Sequence, residues 1–355
     1  MEKKTQDKKN MFQKPIRTEI SAIGEFGLIE RLKKKVKIYH ESTLKGIGDD
    51  AAVLQASDWQ RVVSSDMLLE GIHFDLTYTP LKHLGYKSVA VNISDIAAMN
   101  AIPEQIIVCI GLSNRFSVEA VEELYEGICA ACEDYKIDLV GGDTTSSRSG
   151  LVISITAIGK VPKNLITYRN TAKKGDILCL TGDVGAAYLG LQVLRREKQE
   201  YLSNPDMQPD LESKTYVIMR QLKPDARMDV VYELREAGVV PTSMIDVSDG
   251  LASEILHICK QSGVGAIVYE EKIPIEQPTI EAATMDFNIS PITCAMNGGE
   301  DYELLFTIRQ EDYEKLKNSP NISFIGYIHE AEKGIKLVTS GKQMVDIQAQ
   351  GWVHF

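Results

Sequence analysis

Several signatures of common enzyme classes are missing from this sequence. No stretch of its 355 residues approaches the roughly 20 consecutive apolar residues that a membrane-spanning helix needs. The Walker A pattern, G-x-x-x-x-G-K-[ST], is absent, which excludes a P-loop nucleotide site. There is no G-x-S-x-G nucleophile elbow, and the histidines show no zinc-binding spacing. A membrane span, P-loop nucleotide chemistry, serine hydrolysis and zinc chemistry are therefore set aside.

The sequence also lacks a disulfide framework and a secretory signal. Its six cysteines show no paired spacing, which is typical of a protein in a reducing cytoplasm. Residues 1–23 begin with a lysine-rich stretch and have no apolar core of the kind that a signal peptide contains. We predict that these residues form a disordered leader and that the protein is cytoplasmic.

The chain has fewer basic residues than acidic ones. The formal net charge is −11, which argues against a nucleic-acid partner on electrostatic grounds. Hydrophobic residues make up 44% and charged residues 25% of the chain, which is ordinary for a globular protein. The excess of acid also suits a protein that collects divalent cations around a polyphosphate.

The order of apolar patterns predicts strands and helices that alternate in both halves of the chain. In the first half, a continuous apolar strand at 106–112 precedes a helix at 118–135, and in the second half a strand at 243–247 precedes a helix at 251–262. The composition changes around 162–174, where Asn, Lys and Arg gather. We therefore predict an α/β or α+β fold with two domains, at 24–162 and 163–355.

Turns that combine acids with glycine or serine recur along the chain, and most of them close an apolar run. The first places Asp49 and Asp50 between glycines and small residues. Two adjacent carboxylates repel each other unless a positive charge lies beside them, and a hard divalent cation with oxygen ligands is the obvious candidate. A single pair would read as a solvated acidic loop, but five more such turns follow: 64–66, 92–95, 141–145, 246–250 and 298–301.

The first turn superficially fits the dinucleotide fingerprint G-x-G-x-x-A over residues 46–51. Two aspartates at the variable positions would repel the pyrophosphate that this fingerprint holds on a helix N-terminus. We reject that interpretation. Asp95 is a separate case, because a carboxylate on the inner face of the apolar helix predicted over 81–99 needs a partner.

Taken together and in order, these motifs resemble those of the thiamine-monophosphate kinase family. That family belongs to a wider group with aminoimidazole ribonucleotide synthetase and selenophosphate synthetase. Each motif alone is weak, but all occur in order with plausible spacing, and the resemblance runs from residue 24 almost to the C-terminus. Ser65 stands where the family often has Thr, and Asn297 where Ser is usual. The motifs are 46–54, 64–66 with 71–73, 91–95, 141–145, 246–250 and 297–304.

The resemblance implies a fold, an assembly and a site. The fold is the two-domain aminoimidazole ribonucleotide synthetase-like fold, whose N-terminal sheet domains pair across a homodimer and whose C-terminal domain is α/β. ATP is the implied co-substrate, several Mg²⁺ ions are the implied cofactors, and thiamine monophosphate is the implied substrate. The implied metal positions are Asp50, Ser64, Ser65, Asp66, Asp95, Asp143, Asp246 and Asp249; Gly142, Asp143, Arg169 and Ser248 contact ATP; His73, Glu300 and Trp352 hold the substrate.

The implied reaction is metal-assisted phosphoryl transfer from ATP to thiamine monophosphate, giving thiamine diphosphate. A phosphate monoester is largely ionised at neutral pH, since its second pKa is about 6, so no general base is expected. Two alternatives stay open at this point. One is another ATP-using synthetase of the same group, although no Cys precedes Cys109 to act as the reactive residue of a selenophosphate synthetase. The other is a non-catalytic nucleotide- or metal-binding homologue.

Overall fold

The structure, a computed structural model, describes residues 43–349 apart from 46, 47, 57, 58, 207, 208 and 210. All of these residues belong to one compact unit, Ile38–Trp352. The predicted leader and Trp352 lie outside the described residues. So do residues 25–36, for which the spacing of Leu28, Ile29, Leu32 and Val36 predicts a helix. The leader and the substrate role of Trp352 therefore stay predictions.

The first half of the chain forms a six-stranded sheet with the order β1-β2-β3-β6-β4-β5. β3 and β6 pair antiparallel along their whole length, from Trp59 opposite Pro162 to Leu69 opposite Val152. β5 is an edge strand and runs parallel to β4. The strands are β1 Thr43–Lys45, β2 Ala52–Ala56, β3 Trp59–Leu69, β4 Ile102–Leu112, β5 Asp138–Ser146 and β6 Val152–Pro162.

Two helices, α1 (Leu81–Ala98) and α2 (Val118–Tyr135), accompany this sheet, and their apolar residues share one buried core with its strands. The two helices cross in very close contact at two glycines. A Cβ at Gly85 would lie 2.0 Å from the carbonyl oxygen of Leu124, and a Cβ at Gly127 would lie 1.9 Å from that of Lys82. Any side chain at either position would push the helices apart, so the glycines set the distance between them.

Among the described residues, the other face of the first sheet is open. Along β3 every second residue from Gln60 to Leu68, apart from the half-buried Asp66, is buried, whereas Trp59, Ser65 and Met67 on the opposite face are exposed. Cys109 of β4 is exposed as well, and every residue of β5 is exposed. Within the part of the chain that the structure describes, the sheet is therefore covered on one face, by α1 and α2.

The second half forms a seven-stranded sheet with the order β13-β12-β9-β11-β7-β10-β8. Its neighbours pair antiparallel except β9 and β12, which run parallel. Strand β10, which lies between β7 and β8, is buried at every position. The strands are β7 Ile177–Thr181, β8 Ser243–Asp246, β9 Val264–Tyr269, β10 Leu304–Ile308, β11 Ile322–Glu330, β12 Ile335–Val338 and β13 Met344–Asp346.

Helices of the second half pack around this sheet. Residues 197–213 are polar and contain two prolines, a composition that predicts a surface excursion. They are partly helical, because α3 continues to Ser203. The helices are α3 Ala186–Ser203, α4 Thr215–Leu222, α5 Met228–Glu236, α6 Leu251–Ser262, α7 Gln277–Glu281, α8 Pro291–Asn297 and α9 Tyr313–Leu316.

The predicted fold class is confirmed: the chain is a mixed α/β protein with one sheet in each half. The division at residue 162 stays a prediction, as does pairing of the first sheet across a dimer. Among the described residues, no helix is long and apolar enough to span a membrane. All six cysteines are free, as their spacing suggests.

Candidate functional site

Three carboxylates from distant parts of the chain meet at one point. Asp50, Asp95 and Asp246 each offer an oxygen, and these oxygens lie within 4.8 Å of one another. Asp50 lies in the turn that precedes β2, Asp95 lies on α1, and Asp246 is the last residue of β8. Both halves of the chain therefore contribute to one acidic cluster.

A hydrogen bond between the two halves fixes part of this cluster. Ser94 of α1 donates its hydroxyl to Oδ2 of Asp246 at 2.7 Å, and both residues are buried. Ser94 and Asp95 are neighbours on the helix, so the same turn of α1 supplies one carboxylate and anchors another. The strand-to-helix connection that follows β8 then carries the next two polar residues, Ser248 and Asp249.

Burial and mutual repulsion disfavour the ionised form of these carboxylates. Burial raises the pKa of Asp50 to about 8, against the opposing effect of Arg169, and the charges of Asp246 and Asp49 raise it further. Burial also raises the pKa of Asp95 well above its usual range, and the neighbouring Asp66, Asp246 and Asp50 add to that shift. Desolvated carboxylates this close together hold protons unless a positive charge replaces them.

Arg169 supplies the positive charge next to the cluster. Its guanidinium contacts Asp50 through Nε, 3.1 Å from Oδ2, and through a terminal nitrogen, 2.5 Å from Oδ1. It also lies 3.4 Å from Oδ1 of Asp49. This forked contact is the geometry in which arginine binds carboxylates and phosphates. Arg169 is therefore placed to exchange a carboxylate partner for a phosphate.

Two predicted residues of β3 join the cluster from the buried face of the first sheet. The Ser64 hydroxyl donates to Oδ2 of Asp95. The backbone N–H of Asp66 donates to Oδ1 of Asn92 at 3.0 Å, and Asn92 lies one turn before Asp95 on α1. Burial, with the charge of Asp246, raises the pKa of Asp66 to about 6. Strand β3 and helix α1 are thus tied together at the acids that they share.

Asp249 has a buried acidic neighbour that the sequence motifs do not reveal. The backbone N–H of Asp249 donates to Oε1 of Glu254 at 3.2 Å, and Glu254 is buried in the first turn of α6. Burial raises the pKa of Glu254 well above its usual range, and the charges of Asp249 and Asp246 add to it. The signal available in the sequence is an acid early in a helix that follows a glycine turn.

Glu300 lies against this same connection. Gly299 and Glu300 both adopt left-handed backbone conformations, with φ of 73° and 58°. The backbone N–H of Glu300 donates to the carbonyl of Ser248 at 2.7 Å, and that of Tyr302 donates to the carbonyl of Val247 at 2.9 Å. The loop at 298–302 is therefore fixed directly to the loop that carries Ser248 and Asp249.

His73 lies in the turn after β3 and has a defined tautomer. The backbone N–H of Leu69 donates to Nδ1 of His73 at 3.1 Å. Because Nδ1 accepts, the neutral ring carries its proton on Nε2. His73 therefore presents an N–H donor, which suits a phosphate or another anionic group.

Three predicted residues lie elsewhere on the first sheet. Ser65 is on the open face, where its hydroxyl donates to the carbonyl oxygen of Ile155 at 3.1 Å and lies 3.0 Å from the hydroxyl oxygen of Thr156. Asp143 pairs with the exposed Cys109, and both Asp143 and Gly142 are exposed on the edge strand β5. The structure does not bring these three residues to the Asp50 cluster, and their metal and nucleotide roles stay predictions.

The donor set at the cluster fits a hard divalent cation. Three converging carboxylates, with hydroxyl groups beside them, are the oxygen ligands that Mg²⁺ prefers. The burial and neighbouring carboxylates that raise the pKa values of Asp50 and Asp66 also favour a cation as their partner. The arrangement can hold a metal and, through Arg169, a phosphate group beside it.

Both halves of the chain match family models. Residues 48–161 match the N-terminal domain of the AIR synthase related proteins, and residues 173–334 match the C-terminal domain of the same proteins. The two matched ranges include Asp50, Asp95 and Asp246, and Arg169 lies between them. The chain is thus similar to this group over most of both sheets.

Individual curated relatives and solved structures specify which proteins of this wider group the chain resembles. The chain is 34% identical to the thiamine-monophosphate kinase of Bacillus subtilis over 94% of this chain and 100% of the relative, and 31% identical to that of Aquifex aeolicus over 95% and 99%. The structure of AaThiL complexed with AMPPCP and TMP superposes with a TM-score of 0.81 at 29% identity, covering 96% of this chain and 100% of that one. The hydrogenase maturation protein HypE in complex with ATP, at 18% identity and a TM-score of 0.64 over 84% of this chain and 88% of that one, shares the fold alone. This chain belongs to the thiamine-monophosphate kinase family.

Proposed function

We propose that this protein transfers the γ-phosphoryl group of ATP to thiamine monophosphate, releasing thiamine diphosphate and ADP. The observation that carries the proposal is the convergence of Asp50, Asp95 and Asp246, beside Arg169, in a chain of this family. The cluster suits a reaction between two phosphate groups, because such a reaction concentrates negative charge that cations and arginine offset.

In this reaction the main task of the protein is to position the two phosphate groups. An oxygen of the thiamine phosphate attacks the γ-phosphorus, a new P–O bond forms, and the bond from the γ-phosphorus to the β-phosphate bridging oxygen breaks as ADP leaves. The attacking oxygen is already ionised at neutral pH, so no side chain needs to remove a proton. The residues that orient the two phosphates in line therefore determine the rate.

Several Mg²⁺ ions are the proposed cofactors. The proposed ligands that lie at or beside the cluster are Asp50, Ser64, Asp66, Asp95, Asp246 and Asp249, and Ser65 and Asp143 are the proposed ligands outside it. When bound, Mg²⁺ would neutralise phosphate charge. The chain's own contribution is to hold these oxygens in place, as Ser94 does for Asp246 at 2.7 Å.

The nucleotide and substrate contacts follow the resemblance. Arg169 and Ser248 are the proposed ATP contacts near the cluster, and Gly142 and Asp143 are those on β5. His73 is proposed to donate from Nε2 to the substrate, a role that its Nδ1 acceptor contact supports. Glu300 is proposed to bind the organic part of thiamine monophosphate, and Trp352 is the remaining proposed substrate contact.

The proposed assembly is a homodimer in the cytoplasm, formed through the first sheet. Trp59 and Met67, both exposed on the open face of β3, support the proposal, because exposed apolar side chains on a sheet face are suited to association. A nucleic-acid or membrane partner is not part of it.

The test is incubation of the full-length protein with ATP, Mg²⁺ and thiamine monophosphate, followed by separation of ADP and thiamine diphosphate. We expect stoichiometric formation of both products, and no phosphorylation of free thiamine, which brings no phosphate to the metal cluster. Phosphorylation of free thiamine alone would overturn the substrate. Binding of ATP without any turnover would favour a non-catalytic homologue instead.

A further inference from the structure

A buried lysine on α1 contacts the proposed substrate residue Glu300. Nζ of Lys87 lies 3.3 Å from Oε2 of Glu300, and the Lys87 side chain is only 5% exposed. Nζ also donates to the backbone carbonyl of Gln221 at 2.9 Å. A buried ammonium group requires partners of this kind, because its desolvation is otherwise costly.

Gln221 completes the contact. Its Nε2 donates to the same oxygen, Oε2 of Glu300, at 2.7 Å. One carboxylate oxygen of Glu300 is thus held by an amide from α4 and an ammonium from α1. The Glu300 side chain remains 29% exposed, so the carboxylate is anchored on one side and accessible on another.

The same face of α1 reaches both loops of the site. Lys87 and Ser94 are seven residues apart, which is about two helical turns, and both side chains point to the second half of the chain. Ser94 binds Asp246 in the acidic cluster, and Lys87 binds Glu300. One helix therefore sets the position of a proposed metal ligand and of a proposed substrate residue relative to each other.

We propose that Lys87 is a positioning residue for the substrate. It holds Oε2 of Glu300 so that the accessible part of the carboxylate meets the organic part of thiamine monophosphate, whose cationic thiazolium ring and exocyclic amino group both complement a carboxylate. This inference rests on the proposed function. It assigns Lys87 an effect on the binding of thiamine monophosphate and none on that of ATP.

The test compares Lys87→Met with the wild-type enzyme. The methionine keeps an unbranched, buried side chain and removes the charge that holds Glu300. We expect the KM for thiamine monophosphate to rise about tenfold, with kcat and the KM for ATP within about twofold, since the lost interaction serves substrate binding alone. Lys87→Arg keeps the charge and should restore most of the affinity.

A matched control and a double variant separate positioning from folding. Lys82→Met removes the exposed lysine of the same helix that pairs with Glu126, and we expect unchanged kinetics. In a Glu300→Gln background, Lys87→Met should raise the KM for thiamine monophosphate by less than about twofold, because residues that act through one contact are not additive. If Lys87→Met does not fold, Lys87→Gln replaces it in the same comparisons.

Each outcome bears on the inference. An equal rise in KM in both Glu300 backgrounds, or an equal rise for ATP, would show that Lys87 acts on the fold and would overturn it. Wild-type kinetics for Lys87→Met would overturn it as well, while leaving the proposed function intact. A wild-type protein that neither binds nor phosphorylates thiamine monophosphate would instead overturn the proposed function, and this inference with it.

Discussion

Ser94 and Asp246, which are 152 residues apart in the chain, share a buried hydrogen bond of 2.7 Å at the centre of the acidic cluster. The contact joins a helix of the first half to the end of a strand of the second half. Because the cluster is completed only when the two halves meet, a change that separates them would remove the site without altering any of its ligands.

Asp95→Asn should remove activity without removing the fold. Asparagine keeps the shape and an oxygen acceptor for the Ser64 hydroxyl but removes one negative charge from the cluster. We expect turnover to fall at least about 10²-fold, which corresponds to about 2.7 kcal/mol of barrier. Thermal unfolding of the metal-free protein should be unchanged or shifted slightly upward, because one source of repulsion is gone. An unfolded variant whose residual folded fraction turns over normally would mean that Asp95 is structural.

Binding of Mg²⁺ should release protons and weaken as the pH falls. Burial raises the pKa of Asp50 to about 8 and that of Asp66 to about 6, so the metal-free cluster holds protons that a cation must displace. We expect the affinity for Mg²⁺ to fall between pH 8 and pH 6, which titration calorimetry in buffers of different ionisation enthalpy measures. Asp50→Asn should reduce the number of protons released. An affinity independent of pH would contradict a metal site at these acids.

The same pKa shifts predict how the metal-free protein responds to pH. An acid whose pKa is higher in the folded state than in the unfolded state contributes stability at pH values below its unfolded-state pKa. That contribution is lost as the pH rises through the folded-state pKa. The folded-state pKa is about 6 for Asp66 and about 8 for Asp50. The free energy of unfolding should therefore decrease across this range without Mg²⁺, and saturating Mg²⁺ should reduce or reverse the decrease. Chemical denaturation at each pH, with and without Mg²⁺, measures it.

A charge on the open face of the first sheet should dissociate the proposed dimer. Met67 is 54% exposed on that face, and Met67→Glu would have to bury a carboxylate if a second copy covers it. We expect light scattering to give twice the chain mass of 39.4 kDa for the wild type and a shift toward the single-chain mass for the variant. Val118→Glu, at a site on α2 that is 69% exposed, is the control and should leave the mass unchanged. A wild type of single-chain mass at micromolar concentration would overturn the dimer.

Gly85→Ala should destabilise the protein. The added Cβ would lie 2.0 Å from the carbonyl oxygen of Leu124, which forces α1 and α2 apart. We expect a loss of about 2 kcal/mol or more in the free energy of unfolding, by analogy with overpacked cores. Gly341→Ala is the control, since its nearest neighbour would be 3.8 Å away. Equal stability of the two variants would show that the helices can move apart at little cost.

Much of the fold is predictable because its patterns are periodic and local. The helix 118–135 is found with the same bounds that its apolar spacing predicts, and Ser117 caps its first turn. The helix at 215–222 and the strand at 264–269 are missing from the predictions, because the first follows a polar stretch with two prolines and the second follows directly on a helix. Local pattern cannot separate such joined elements.

Site residues are predictable when they belong to a sequence motif and are not predictable when they stand alone in the sequence. The resemblance names Asp50, Asp95 and Asp246, and the structure brings them together. Lys87 and Glu254 are isolated charges within apolar helices, so only their contacts reveal them. Ser65 differs in another way: neighbours on a strand point to opposite faces, so Ser64 and Ser65 cannot both point to the same side of β3.

The left-handed turn at Glu300 has a consequence for changing the substrate. Its backbone N–H donates to the carbonyl of Ser248, and that of Tyr302 donates to the carbonyl of Val247. A displacement of the loop at 298–302 would therefore be transmitted to the loop that carries Ser248. A designer who lengthens the loop at 298–302 to admit a larger molecule would also shift Asp246 and Asp249. New specificity in this scaffold is therefore more accessible through side-chain replacement at fixed loop length than through insertion.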